Sequence, residues 1–127
     1  MTKQEIFDKV WQHFVVEKNR RSAPGPNNTD PGLTCYYRHP SGDGRRCAVG
    51  LLISDEHYVE ALEGLSSWRA PVIRRLEMSG IENAEDLTVF LRELQKAHDC
   101  SDGEFVDEQR LRFLAEAYAL KVPSENA

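Results

Sequence analysis

Leu33-Thr34-Cys35-Tyr36-Tyr37-Arg38, the turn His39-Pro40-Ser41-Gly42-Asp43-Gly44, then Arg45-Arg46-Cys47-Ala48-Val49 form the stretch whose reading decides the fold class. The first run is rich in aromatic, thiol and β-branched residues that suit a pleated strand. The middle holds turn residues, and the second run can return along the first. The pattern predicts a two-stranded β-hairpin, in which a symmetric turn would set Cys35 opposite Cys47 and Tyr37 opposite Arg45. A lone hairpin is marginally stable, so it is expected to lie on helices.

Helical signals surround it on both sides. Thr2 and Glu5 have capping-box spacing, and Ile6, Phe7, Val10, Trp11, Phe14 and Val15 follow at three- and four-residue steps, predicting a helix to about Lys18. Residues 19–32 carry Pro24-Gly25-Pro26 and Asp30-Pro31-Gly32 and read as a long mobile loop. Past the hairpin, Ser54 can cap a helix over 55–63 that Gly64 ends. Ser66 or Ser67 can start another, with Pro71 in its first turn, Val72, Ile73 and Leu76 inward, and Gly80 as its stop. Asn83 opens a fourth with Leu87, Phe90, Leu91 and Leu94 inward. Ser101 and Glu104 repeat the capping-box spacing before a last helix carrying Leu111, Leu114, Ala115 and Tyr118. The expectation is a mainly α (α+β) domain over 1–122, a bundle of about five helices with one inserted hairpin, and a frayed tail over 123–127.

Composition narrows the function classes. The 127 residues suffice for one core without disulfides or metals, and 40% hydrophobic with 29% charged residues is ordinary for a globular chain. The longest apolar run, Ala48 to Ile53, is far short of the ~20 residues a membrane span needs. Met1-Thr2-Lys3-Gln4-Glu5 leads into an amphipathic pattern without an apolar signal region. Three widely spaced cysteines make no secreted framework, so reduced thiols and a cytoplasmic location are expected. Residues 18–46 hold six bases and two acids, whereas 77–127 hold twelve acids and five bases. A net charge of −5 disfavours general nucleic-acid binding and is modest for a DNA-mimicking surface. The acidic half reads most simply as solvated helix faces.

Cys35, Tyr37, Arg38, Gly44, Cys47, Ala48, Gly50, Leu52, Ile53, Asp55, Tyr58, Glu63 and Gly64 together carry a resemblance. In words the pattern is Cys-x-Tyr-Arg, a turn, Gly-x-x-Cys-Ala-x-Gly-x-Leu-Ile, then an Asp, a Tyr and a Glu-Gly pair. It resembles a family of small uncharacterised proteins of tailed phages, prophages and bacteria. Leu94-Gln95 with His98-Asp99 is similar to a second piece of that pattern. The resemblance covers roughly a third of the chain. The chain departs from it at Ser54, where the pattern has Pro, and in the longer loop before Cys35. It implies a phage or prophage origin and no particular activity.

Several residues in this region have chemistry to offer. A guanidinium is a rigid fork suited to carboxylate or phosphate, so Arg38 can pair internally with Asp55 or Glu63 or hold an anionic, nucleotide-like ligand with Tyr36 or Tyr37 stacking on it. Arg45 and Arg46 extend the same basic patch, and Tyr58 lies between the acids. Cys35, Cys47, His98 and Cys100 could be gathered into a tetrahedral zinc set, but no Cys-x-x-Cys pair supports it, and packed thiols are the simpler reading. His98-Asp99 resembles a base with its orienting acid, yet adjacent residues rarely orient one another. Arg46 beside Cys47 would point to the opposite face of a strand. The expectation is a protein without cofactor, metal or catalytic residue, which binds a protein partner and inhibits or modulates a host or defence-system macromolecule. Its candidate surface is Tyr36, Tyr37, Arg38, Arg45, Arg46, Asp55, Tyr58, Glu63, His98 and Asp99. A binder of a small anion and a small Cys/His hydrolase-like enzyme are the alternatives.

Overall fold

The amphipathic patterns over 3–11, 70–78, 88–99 and 108–117 become helices whose apolar faces meet in one core. The structure, a computed structural model, describes residues 1–22, 36–39, 42, 44–101 and 105–123. Helix α1 spans Lys3–Trp11, α2 Ala48–Leu52, α3 Ala70–Met78, α4 Thr88–Asp99 and α5 Glu108–Ala117. The α4 helix is the hub, packing on both α2 and α5, while α1 packs on α2. One core joins Ile6, Phe7, Val10, Trp11 and Phe14 from the first helical run to Val72, Leu76, Phe90, Leu91, Leu94, Leu111 and Leu114. No helix among the described residues is long and apolar enough to cross a membrane.

Helix ends follow local chemistry. Thr2 and Glu5 form both bonds of the capping box, at 2.9 and 3.1 Å. After Trp11 the helix widens into a π-helical turn, Gln12–Val16, where the Glu17 N–H reaches back to the Gln12 carbonyl at 2.9 Å. Pro71 lies in the first turn of α3, where its missing N–H costs nothing.

The hairpin expected over 33–49 is overturned: no strand forms among the described residues. The His39 N–H does donate to the Arg45 carbonyl at 2.9 Å, but no ladder follows among the described residues. The reason lies in where the backbone donors go. The N–H groups of Tyr37 and Arg38 donate to the two oxygens of Glu63, at 2.9 and 3.0 Å, and the Tyr36 N–H donates to the Ser22 carbonyl at 3.2 Å. With the donors of residues 36–38 taken by a side chain and a distant loop, the His39–Arg45 bond is what remains of the expected pairing among the described residues. On the returning side, Cys47 is the N-cap of α2, its Sγ accepting the Gly50 N–H at 3.3 Å, so Ala48 and Val49 are helical. Cys35 lies outside the described residues, as do 23–32 of the expected loop, 124–127 of the expected tail, and Glu104.

Other boundaries shift for similar reasons. In place of a helix over 55–63 there are two 3-10 turns, Asp55–His57 and Glu60–Leu62. Tyr58 and Val59 between them are extended, which swings the Tyr58 ring toward Glu63, and Gly64 closes the run at φ 83°. Residues Asn83 to Leu87 form turns ahead of α4, and Asp107 rather than Ser101 caps α5. Ser101 instead donates to the Ala97 carbonyl at 2.7 Å and accepts the Asp107 N–H at 2.8 Å.

Candidate functional site

The carboxylate of Glu63 gathers one group of the candidate residues. Besides the two backbone N–H groups, its Oε2 accepts the Tyr58 hydroxyl. Burial, then the Glu63 carboxylate, pushes the Tyr58 hydroxyl well above its usual range, so it remains a donor. The Arg38 guanidinium lies over the Tyr58 ring, 4.9 Å from its centroid. Its Nη2 donates to the Ile53 carbonyl at 2.8 Å and sits 3.1 Å from Asp55 Oδ1, while Nη1 is buried with no hydrogen-bond partner among the described residues. Arg46 Nη2 approaches the same Asp55 oxygen at 2.9 Å. Burial, with Arg46 nearby, draws the Arg38 guanidinium below its usual value, and Asp55 opposes the shift.

Gly50 explains why the 36–39 segment lies where it does. A Cβ there would overlap the Tyr37 carbonyl oxygen and come within 2.8 Å of its carbon and Cα. Only glycine lets the Tyr37 backbone rest on α2. The Tyr37 ring is buried and its hydroxyl donates to the Leu65 carbonyl. Tyr36 is half-buried with its ring edge-on to His39, and Arg45 Nη2 is 3.3 Å from His39 Nδ1.

His98 and Asp99 belong to a second group at the end of α4. His98 is 1% exposed. Its Nε2 accepts the Ser22 N–H at 3.2 Å, which leaves Nδ1 to carry the ring proton and face Asp99 Oδ1 at 3.0 Å. Burial lowers its pKa, against the pull of Asp99, so the neutral ring is the resident form. Gln95 joins this group to α2: its Oε1 accepts the Val49 N–H at 3.0 Å and its Nε2 donates to Asp99 at 2.9 Å. Arg21 caps the helix end, donating to the His98 carbonyl at 2.8 Å. Thus both pieces of the sequence pattern serve as ties between segments distant in the chain.

For zinc, Cys35 lies outside the described residues, Cys47 is a buried helix cap and Cys100 is exposed. Among the described residues, no three His, Cys, Asp or Glu side chains are placed to hold a metal ion.

The two groups meet at a cleft of about 350 Å³, walled by Tyr37 and Leu65 on one side and by Gln95 and Asp99 of α4 on the other. Trp68 and Arg92 stand at this cleft, the guanidinium over the indole at 4.6 Å. Trp68 is 50% exposed. Sequence reasoning passed over both residues. The available signal was a large aromatic at 68 that belongs to no apolar stripe, and an arginine at the polar position between Leu91 and Leu94. In comparisons with protein-family models, with curated proteins and with solved structures, nothing matches this chain.

Proposed function

We propose that this chain is a small phage-type interaction protein that binds a host or defence-system macromolecule, using the cleft beside Trp68, and modulates it without chemistry of its own. The observation that carries the reading is the half-exposed Trp68 held under Arg92 at the cleft shared with Tyr37. Trp, Tyr and Arg dominate the energetic centres of protein interfaces, because each combines a large apolar face with a directional polar group. The charged residues at the cleft, Arg92, Lys96, Glu93 and Asp99, have mixed signs, which suits a protein better than a polyanion. Two reactive groups have structural work, since Cys47 caps a helix and both ring nitrogens of His98 are hydrogen-bonded in the core, while the Cys100 thiol is exposed at the cleft. The phage-type element rests on the resemblance of the 35–64 pattern. The test is affinity capture from host lysate with the parent chain and with a folded Trp68→Ala variant. A protein held by the parent and released by the variant is expected, while equal retention would send the function elsewhere.

A further inference from the structure

We propose that Arg38 and Arg46 form a binding site for a phosphate-type oxyanion, and that Asp55 holds the place of that anion in the free protein. Both arginines bring a single nitrogen, Nη2, to one oxygen, Asp55 Oδ1, at 3.1 and 2.9 Å. A guanidinium meeting a carboxylate in its favoured geometry uses two parallel bonds to two oxygens, whereas here two cations share one. Two cations are therefore served by one carboxylate oxygen, and Nη1 of Arg38, buried and without a hydrogen-bond partner among the described residues, adds uncompensated positive charge behind the site. Arg38 is also fixed in advance: the Ile53 carbonyl holds Nη2, the Tyr58 ring lies beneath the guanidinium, and the side chain is 16% exposed. A preorganised cation loses little freedom on binding.

Asp55 is the movable member. Its side chain is 79% exposed and stands on a three-residue 3-10 turn, so leaving the arginines carries it into water. An exposed ion pair contributes little to stability, so its replacement is inexpensive. The carboxylate of Glu63 does not compete, because it faces the Tyr37 and Arg38 N–H groups and the Tyr58 hydroxyl. With Asp55 turned away, the open side presents two guanidinium groups converging on one point, which an oxygen of inorganic phosphate or of a phosphomonoester can occupy. This site is separate from the Trp68 cleft and requires no macromolecular partner.

The test titrates the purified chain with inorganic phosphate, and separately with adenosine 5′-monophosphate, at low ionic strength by calorimetry. Saturable one-site binding of phosphate is expected, tightened roughly fivefold or more by Asp55→Asn and weakened about tenfold or more by Arg46→Gln. Equal affinity for the two ligands would show that the phosphate group alone is read, and tighter nucleotide binding that the base adds contacts. Asp55→Ser provides a second removal of the carboxylate, and circular dichroism confirms folding of each variant. Absence of saturable phosphate binding in both Asp55 variants, or an unchanged affinity in Arg46→Gln, overturns the proposal.

Discussion

Oε2 of Glu63 lies 3.0 Å from the backbone nitrogen of Arg38, 25 residues earlier in the chain, while its other oxygen takes the N–H of Tyr37. One side chain thus does for the 36–39 segment what a neighbouring strand would otherwise do. Glu63→Gln keeps the size but sets an amide NH₂ against one of those N–H donors. Hydrogen bonds to a charged acceptor contribute about 1.5–3 kcal/mol each, so a loss of roughly 2–4 kcal/mol in urea unfolding is expected. Glu60→Gln, at an exposed position nearby, should change stability by less than about 0.5 kcal/mol.

Gly50→Ala tests the other side of the same segment. Helix propensity alone predicts a gain of about 1 kcal/mol for this change within α2. Overlap of the new Cβ with the Tyr37 backbone predicts the opposite sign, a loss of about 3 kcal/mol or failure to fold, because backbone cannot rotate away as a side chain can. Thermal unfolding decides between the two signs.

Stability should fall on mild acidification through His98. Burial holds its folded pKa below the ordinary histidine value of about 6.5, so the unfolded chain binds the proton more readily. The associated stability is fully present above about pH 6.5 and is lost as pH falls toward the folded pKa. His13 is shifted in the same direction, also chiefly by burial, and contributes with the same sign. Comparing unfolding free energies at pH 7.5 and 5.5 for the parent and for His98→Gln should show a shallower dependence in the variant. An unchanged slope would remove His98 as the source.

Thiol accessibility provides a separate check on the cysteines. Cys100 is exposed and Cys47 is buried with Sγ engaged at the start of α2. Iodoacetamide followed by peptide mapping should label Cys100 in the native protein and Cys47 only in denaturant. Cys47→Ala should cost about 1 kcal/mol for the lost cap, and Cys47→Ser should retain most of it.

Much of the helical framework is legible in the sequence, because burial repeats at helical spacing: Ile6, Phe7, Val10 and Trp11 in α1, and Phe90, Leu91 and Leu94 in α4, are all core residues. Residues 36–49 were not legible. Tyr, Cys and Val favour extended backbone whether the partner is a strand or a carboxylate, and nothing local to Tyr37 reveals that Glu63 will supply its acceptor. Cys47 likewise reads as a strand residue until Gly50 and Gln95 show that a helix begins there. Among the candidate residues, Arg38, Arg46, Asp55, Tyr58 and Glu63 do come together, and His98 with Asp99 forms a separate group. Trp68 and Arg92 escaped because their pairing spans 24 positions and obeys no periodicity.

The central proposal is that Tyr37, Arg38, Gly50 and Glu63 tie the 36–39 segment into the fold while a macromolecular partner is recognised at the cleft beside Trp68. Its most direct test is the affinity of the captured partner for the parent chain and for Trp68→Ala, with both melting temperatures measured in the same buffer. The account predicts a loss of roughly 30-fold or more, as for a central interface tryptophan, with the melting temperature shifted by less than about 4 °C. Equal affinity of the two proteins would contradict it.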